Sequence, residues 1–193
     1  AYRQNSVNFN TLEQFAKKLT TNNLFDIYFL GIAANKRLNF LKNLISSLCK
    51  QNIKFHIDAV VFDKSKRDII KKQLLQIIDN YHSDSVIDFT PVPYTKYLQN
   101  IVQSKAIIDF YRLSPDEGLS FRTAEALALK KKIITNRDLN ANNLYKFKEN
   151  ILSFDDIDKV NLKEFIDKPY VDPEPELLKQ FDINEQIKNY LKN

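Results

Sequence analysis

KAIIDFYRLSPDEGLSFRTAEALALKKKIIT, residues 105–135, is the stretch of sequence that decides the fold. Its first part, Lys105–Tyr111, has the composition of a strand. Phe121–Leu129 is rich in Ala and Leu, which favour a helix, and Lys132–Thr135 is typical of a short buried strand. The order strand, helix, strand predicts two parallel strands joined by a crossover helix.

The same alternation extends along the chain on both sides of this unit. Leu24–Leu30 is apolar and aromatic and stops at Gly31, and apolar residues then recur at helical spacing. These recurring residues are Leu38, Leu41, Leu44, Ile45 and Leu48. Three further runs are predicted as strands: Phe55–Phe62, Val86–Phe89 and Asn150–Phe154. Strands that alternate with helices predict an α/β fold, a parallel sheet with helices on both faces.

The 193 residues are enough to bury one ample core, which predicts one main domain with short additions at its ends. Residues 1–23 are a polar lead-in with one predicted helix, Leu12–Leu19. The main domain is expected to cover residues 24–168. Residues 169–193 combine a proline-punctuated linker with a terminal helix.

Composition indicates a folded protein, with 44% hydrophobic and 27% charged residues. Its single cysteine, Cys49, excludes an internal disulfide, which favours a reducing cytoplasm. No apolar run reaches the roughly 18 residues that span a bilayer, so any membrane contact is expected to be peripheral. Methionine is absent, even at position 1, which a fragment of a longer chain would explain.

The net charge of +5 is concentrated in lysine-rich clusters at residues 64–72 and 130–132. Such a charge favours anionic partners only weakly. The clusters are not interleaved with aromatic residues, and the sequence has no recognisable nucleic-acid-binding motif. We therefore expect these lysines to form solvated faces and expect no nucleic-acid partner.

Ligands of an open parallel sheet bind beyond the carboxyl ends of its strands, so the strand-to-helix loops should carry the function. The chain has two glycines, Gly31 and Gly118, and both are predicted to lie in such loops. Two glycines so far apart exclude a P-loop and a glycine-rich dinucleotide-binding motif, which each need several within a few residues. A phosphate held by a helix N-terminus remains open.

The segment Glu117–Glu125 supplies a turn of that kind. Gly118 lets a ligand approach the backbone, and the next residues offer two hydroxyls and a cation. These are Ser120, Thr123 and Arg122. The carboxylates of Glu117 and Glu125 can each accept hydrogen bonds from two hydroxyls, which suits a sugar diol. Alternatively, Ser120 only caps the helix and Glu125 forms an ion pair at the surface.

From Asp26 to about Ile151, and most closely from Ser104 to Arg137, the sequence resembles the C-terminal, nucleotide-sugar-binding domain of GT-B-type glycosyltransferases. It is most similar to bacterial enzymes of lipopolysaccharide and capsule synthesis. In these a Gly-Leu-Ser/Thr-x-Arg-Thr-x-Glu stretch precedes a Lys-Lys-x-Ile-Thr strand, as do Gly118–Glu125 and Lys131–Thr135 here. The resemblance implies a Rossmann-like sheet and a single GT-B half-domain.

By this resemblance, Glu125 binds the ribose hydroxyls of the donor, and Glu117 contacts the transferred sugar. Gly118 and Leu119 belong to the same donor-binding loop, as do Ser120, Arg122 and Thr123.

The family also places basic residues after the first strand, where they neutralise the diphosphate of the donor. Lys36 and Arg37 follow Gly31 in that region, although both can equally be solvated residues of a first helical turn. Pro91–Tyr94 matches the loop that flanks the base, where Tyr94 either stacks on the base or packs into the core.

The remaining polar patterns are weak. Asp156-Ile157-Asp158 has the spacing of a metal-binding aspartate pair, but after a strand it more often caps a helix. His56 and His82 lack a ligand cluster of recognised spacing. No metal and no cofactor is expected, and the nucleotide diphosphate sugar is a substrate.

The sequence thus predicts the donor-binding domain of a cytoplasmic bacterial glycosyltransferase, which transfers a sugar to a lipopolysaccharide or capsular glycan. The partners expected are a nucleotide sugar, a glycan or lipid-linked acceptor, and an N-terminal acceptor domain that this chain lacks. No catalytic base is assigned, since that group often comes from the acceptor domain. The alternative is a non-catalytic nucleotide-binding or interaction module of the same fold.

Overall fold

The computed structural model describes residues 6–19, 23–110, 120–140 and 144–191. In these residues six strands form one sheet: β1 (Phe25–Ile32), β2 (Phe55–Val60), β3 (Val86–Asp88), β4 (Ser104–Asp109), β5 (Lys132–Thr135) and β6 (Ile151–Ser153). Their order is β3-β2-β1-β4-β5-β6, and every neighbouring pair is parallel. This is the doubly wound order, so the predicted Rossmann-like α/β fold is confirmed.

Eight α-helices are described: α1 (Phe9–Lys17), α2 (Asn35–Lys50), α3 (Arg67–Tyr81), α4 (Tyr94–Val102), α5 (Phe121–Ala128), α6 (Leu162–Asp167), α7 (Pro175–Leu178) and α8 (Ile183–Leu191). Buried residues of α2, α3 and α6 form a core on one sheet face, and those of α1, α4 and α5 form a core on the other.

Alternate residues of each strand enter the two cores. In β4, Ala106 and Ile108 belong to the α2 side, whereas Ile107 belongs to the α4 side. In β5, Ile134 belongs to the α2 side and Ile133 to the α4 side. A strand covered on both faces needs apolar residues at successive positions, which explains the nearly continuous apolar runs in the sequence.

The two terminal segments meet beside the α4 core. The backbone N–H of Val7 donates to the carbonyl of Phe181 at 2.8 Å, and the N–H of Ile183 donates to Val7 at 3.0 Å. Leu12 and Phe181 are both buried in the same core as α4 and α5. The lead-in and the C-terminal segment therefore complete the cover of this face.

Among the described helices, none combines the length and the apolar character that a membrane span requires.

Gly31 lies inside β1, so the prediction that the strand stops there was wrong. It pairs with Ala59 of β2, and β1 continues to Ile32. The glycine is required by packing, because the ring of Phe29 folds along the strand onto it. A Cβ at position 31 would lie 2.5 Å from Phe29 Cε1 and closer still to Cζ. Phe29 points to the same sheet face two residues earlier, as the period of a strand dictates.

We expect Gly31→Ala to lower the free energy of unfolding by about 2 kcal/mol, because the added methyl group forces the buried Phe29 ring out of place. Urea unfolding of Gly31→Ala, Phe29→Leu and the double variant measures this. The double variant should lose less than the two single losses combined, since a smaller side chain at 29 removes the clash. If Gly31→Ala had the same urea concentration at the midpoint of unfolding as the wild type, the packing account would be contradicted.

Candidate functional site

A crevice of about 480 Å³ lies beyond the carboxyl ends of β1 and β4. The strand order reverses between these two strands, since the chain passes from β1 towards β2 and from β4 towards β5. Gly31 and Ile32 line the crevice from β1, and Asp109 and Phe110 line it from β4. Helices leave β1 and β4 on opposite faces, which opens a crevice at this point in any doubly wound sheet.

Aromatic rings form much of the crevice wall. Phe110 stacks on Phe40 of α2, with ring centroids 3.6 Å apart and an angle of 13° between the rings. Phe62 and Phe121 also line the crevice and are largely exposed. The crevice therefore has a largely apolar, aromatic wall.

Two helices begin at the crevice. Arg37 of α2 lines it, and so do Ser120 and Arg122 at the start of α5. Neither helix has an acidic residue in its first turn, and the residue before α2, Ala34, offers no side-chain cap. Uncapped N–H groups at the start of α2 and the positive ends of both helix dipoles are thus available to an anion.

Arg37 adds a cation to this edge. Its guanidinium Nε is buried and has no hydrogen-bond partner in the described part of the chain. A buried donor without a partner is costly, so an acceptor bound at this point would stabilise it. Lys36 occupies the preceding position in the first turn of α2.

The start of α5 is fixed by Asp109, the last residue of β4. Ser120 Oγ donates to Asp109 Oδ2 at 2.7 Å, and Thr123 Oγ1 donates to the same oxygen at 2.9 Å. Arg137 Nε lies 3.5 Å from that oxygen, and the Asp109 side chain is almost completely buried. Ser120 Oγ also caps the helix by accepting the N–H of Thr123 at 3.3 Å. This carboxylate holds the helix start against the sheet.

Glu125 lies one turn further along α5 and is 4% exposed. Its Oε1 accepts the hydroxyl of Tyr94 at 2.7 Å, and its Oε2 accepts the hydroxyl of Tyr97 at 2.6 Å. Burial and the nearby carboxylate raise the pKa of both tyrosines well above the ordinary value, so both hydroxyls stay protonated donors. Glu125 is therefore a buried carboxylate held by two phenols rather than one partner of a surface ion pair.

Most of the residues predicted from the sequence gather at this edge of the sheet. Gly31, Arg37, Ser120 and Arg122 line the crevice. Tyr94, Thr123 and Glu125 lie on the adjoining turns of α4 and α5. Glu117, Gly118 and Leu119 lie outside the described residues.

Asp109 and Tyr97 were not predicted as site residues. Asp109 is the final residue of an apolar strand, and that position at the carboxyl end was the available signal. Tyr97 is one of the buried residues of α4, beside Leu98, Ile101 and Val102, and such an apolar helical face is typical of core packing. Its contact with Glu125 joins residues 28 positions apart, which no local pattern reveals.

The other polar patterns have local roles. Asp156 caps a 3₁₀ turn by accepting the N–H of Asp158 at 3.2 Å. His56 lies in β2, where Nε2 is 3.2 Å from the buried carboxylate of Asp58. No group of three His, Cys, Asp or Glu side chains in the described ranges is arranged to hold a metal ion.

The expectation that Lys130–Lys132 form a solvated face was wrong for two of the three. Lys131 Nζ donates to the carbonyl of Val102 at 2.7 Å, and Lys132 donates to the carbonyl of Phe165. Lys130 is exposed and pairs with Asp172 at 2.7 Å. Burial lowers the pKa of Lys131 to about 8. The run lies at the amino ends of β4 and β5, away from the crevice, where Lys131 bonds the end of α4 and Lys132 bonds α6.

The sequence matches no protein-family model and no curated protein. Solved structures of similar fold do exist. The crystal structure of AviGT4, a glycosyltransferase involved in avilamycin A biosynthesis, has a TM-score of 0.59 and 11% identity, over 90% of this chain and 51% of that one. Anabaena HepE in complex with UDP has a TM-score of 0.60 and 12% identity, over 97% of this chain and 56% of that one.

The C-terminal domain of LpcC from Francisella tularensis, a glycosyl transferase group 1 family protein, has a TM-score of 0.54 and 13% identity. The match covers 97% of this chain and 95% of that domain. This chain thus spans about half the length of AviGT4 and HepE and nearly all of the separate LpcC domain. At such identities the likeness shows the fold, and it confirms the predicted GT-B half-domain.

We expect Asp109→Asn to lower the free energy of unfolding by about 3 kcal/mol, because it removes the buried negative charge that lies 3.5 Å from Arg137 Nε and accepts hydrogen bonds from Ser120 and Thr123. Asp63→Asn is the control, since Asp63 is exposed and caps a single 3₁₀ turn, and its loss should stay below about 1 kcal/mol. Urea unfolding compares the two variants. Equal small losses would show that Asp109 does not hold α5 in place.

The lowered pKa of Lys131 predicts a pH-dependent stability. Between about pH 8 and its ordinary pKa of 10.5, residue 131 holds more protons in the unfolded chain than in the folded one. The contribution of Lys131 to the free energy of unfolding therefore increases as the pH rises through that range. Relative to Lys131→Gln, the wild type should become more stable from pH 7.5 to 9.5, as measured by urea unfolding. A constant difference would contradict the burial of this ammonium group.

Proposed function

We propose that this chain is the donor-binding domain of a glycosyltransferase, and that it binds a nucleotide diphosphate sugar across the crevice between β1 and β4. One observation carries the proposal: the same helix, α5, opens at the crevice with Ser120 and Arg122 and presents the carboxylate of Glu125 one turn later. An anion site thus adjoins an acceptor for hydroxyl groups, as a phosphorylated nucleoside requires.

The diphosphate would lie at the helix starts. The N–H groups of α2 and α5 and the guanidinium groups of Arg37 and Arg122 supply positive potential from two sides. Departure of the diphosphate from the sugar develops negative charge on its oxygens. Hydrogen-bond donors that are already in position stabilise this charge more strongly in the transition state than in the bound nucleotide sugar.

The nucleoside would lie towards α4. Arg122 and Glu125 are three residues apart and therefore share one side of α5, about 4.5 Å apart along its axis. A ribose diol at Glu125 would place the base near Tyr94, a residue that is 57% exposed at the start of α4. An exposed aromatic ring offers a surface on which a base can stack.

The solved structures support this assignment through their printed descriptions. Anabaena HepE was solved with UDP, and also with UDP and glucose, and AviGT4 is described as a glycosyltransferase. The sequence resemblance at Gly118–Glu125 points the same way.

We further propose that the acceptor is a lipopolysaccharide or capsular glycan, free or lipid-linked, brought by an N-terminal domain outside this chain. That domain would close the crevice from the opposite side and provide the group that accepts the proton of the acceptor hydroxyl. The donor acts as a substrate, without a metal or cofactor. The domain would act in the bacterial cytoplasm, at most peripherally at the membrane.

We expect the chain to gain thermal stability from one or more of ADP, CDP, GDP and UDP and from the corresponding diphosphate sugars. At 100 times the dissociation constant a ligand adds about 2.7 kcal/mol, which raises the unfolding midpoint of a domain of this size by several degrees. Glu125→Gln and Arg122→Gln should each reduce the ligand-induced shift. Glu164→Gln, at an exposed carboxylate of α6, is the matched control and should retain it.

No shift with any of these nucleotides at millimolar concentration would contradict the proposed site. Binding of bare nucleotides with rejection of every diphosphate sugar would instead favour a nucleotide-binding module without transferase activity.

A further inference from the structure

We propose that Tyr97 and Tyr94 have opposite effects on ligand binding by the carboxylate of Glu125. Tyr97 holds the carboxylate in position, and Tyr94 occupies the oxygen that a ligand hydroxyl must reach. This inference rests on the proposed function and adds to it a residue that strengthens donor binding and a residue that weakens it.

Tyr97 is a fixed donor. Its side chain is 6% exposed, and its hydroxyl donates to Glu125 Oε2 at 2.6 Å. Its ring packs against the buried ring of Tyr28 in β1, with centroids 5.9 Å apart. A hydrogen bond from a buried phenol that is packed on the sheet restricts the carboxylate to one orientation.

The helix that carries Tyr97 is itself anchored to the sheet. Asn100 Nδ2, one turn later in α4, donates to Asp58 Oδ2 of β2 at 3.1 Å. The Tyr28 hydroxyl donates to the same oxygen at 2.5 Å. These three side chains are buried, so α4 cannot shift without breaking a desolvated polar cluster. The position of Tyr97 is thus fixed through β1 and β2.

Tyr94 is a displaceable donor. It is the first residue of α4, directly after Pro93, and more than half of its surface is exposed. Its hydroxyl donates to Glu125 Oε1 at 2.7 Å, and its ring stacks on that of Tyr97 at 5.9 Å. When Tyr94 turns outward, water can replace the hydrogen bond of its hydroxyl, so displacement has a small cost.

The burial of Glu125 makes the two roles exclusive. Glu125 is 4% exposed, and its Oε1 is bonded by the hydroxyl of the exposed Tyr94. A ligand hydroxyl that bonds Oε1 therefore takes the place of the Tyr94 hydroxyl. The bond to Tyr97 at Oε2 is kept, so the incoming diol meets a carboxylate that is already oriented.

The two tyrosines should respond in opposite directions to removal of the hydroxyl. Tyr94→Phe removes the competitor, so the dissociation constant of the nucleoside diphosphate should fall about fivefold. Tyr97→Phe frees the carboxylate, so the dissociation constant should rise roughly tenfold. Titration calorimetry of this chain with ADP, CDP, GDP and UDP measures both changes. Tyr190→Phe, on the exposed face of α8, is the control and should leave affinity unchanged.

Weaker binding in both variants would overturn the inference, because two purely structural hydrogen bonds would change affinity in the same direction. Unchanged binding in both would overturn it as well.

A measurement without ligand separates this inference from the proposed function. In NMR spectra of the chain labelled with ¹³Cζ-tyrosine, Tyr97→Phe should shift the Tyr94 resonance, because the carboxylate loses its orientation. Tyr94→Phe should leave the Tyr97 resonance in place. That asymmetry in a chain that binds no nucleotide would support the division of roles and contradict the donor site. Equal resonance shifts in the two variants of a chain that binds nucleotide would support the donor site and contradict the division of roles.

Discussion

The buried carboxylate of Asp109 is the interaction on which the site depends. Asp109 lies at the end of a central strand and is only 2% exposed, so its charge must find its partners within the protein. Asp109 finds them in Ser120, Thr123 and Arg137, which follow it in the chain. The same contacts hold the first turn of α5 at the end of β4 and beside the end of β1.

Three buried carboxylates follow one rule in this fold. Asp58, Asp109 and Glu125 each lie on or beside the sheet and accept hydrogen bonds from hydroxyl groups. At Asp58 and Asp109 the donors tie helices to strands, so the carboxylates serve the fold. At Glu125 one donor is buried and the other is exposed. Because of that difference, a ligand hydroxyl can replace the exposed donor at Glu125, near the crevice.

The alternation of apolar runs was enough to predict the parallel sheet and its helices, because burial on both faces imposes that pattern directly. The end of β1 was misplaced, since the ring of Phe29 covers Gly31 and no local pattern shows such a contact. The family resemblance directed attention to Arg122, which lines the crevice, and to Glu125, which lies one turn further along α5. Their partners were missed, because Tyr97 follows the pattern of a core residue and becomes a site residue only once α4 packs beside α5.

The central claim is that a nucleoside diphosphate binds at the carboxyl edge of the sheet, between β1 and β4. Amide chemical-shift mapping of the ¹⁵N-labelled chain during titration with a nucleoside diphosphate tests it most directly. The account predicts that the largest changes cluster at Ile32, Arg37, Ser120, Arg122 and Glu125. Changes that cluster at the amino edge, around Lys105 and Lys131, or that spread evenly over the surface, would contradict it.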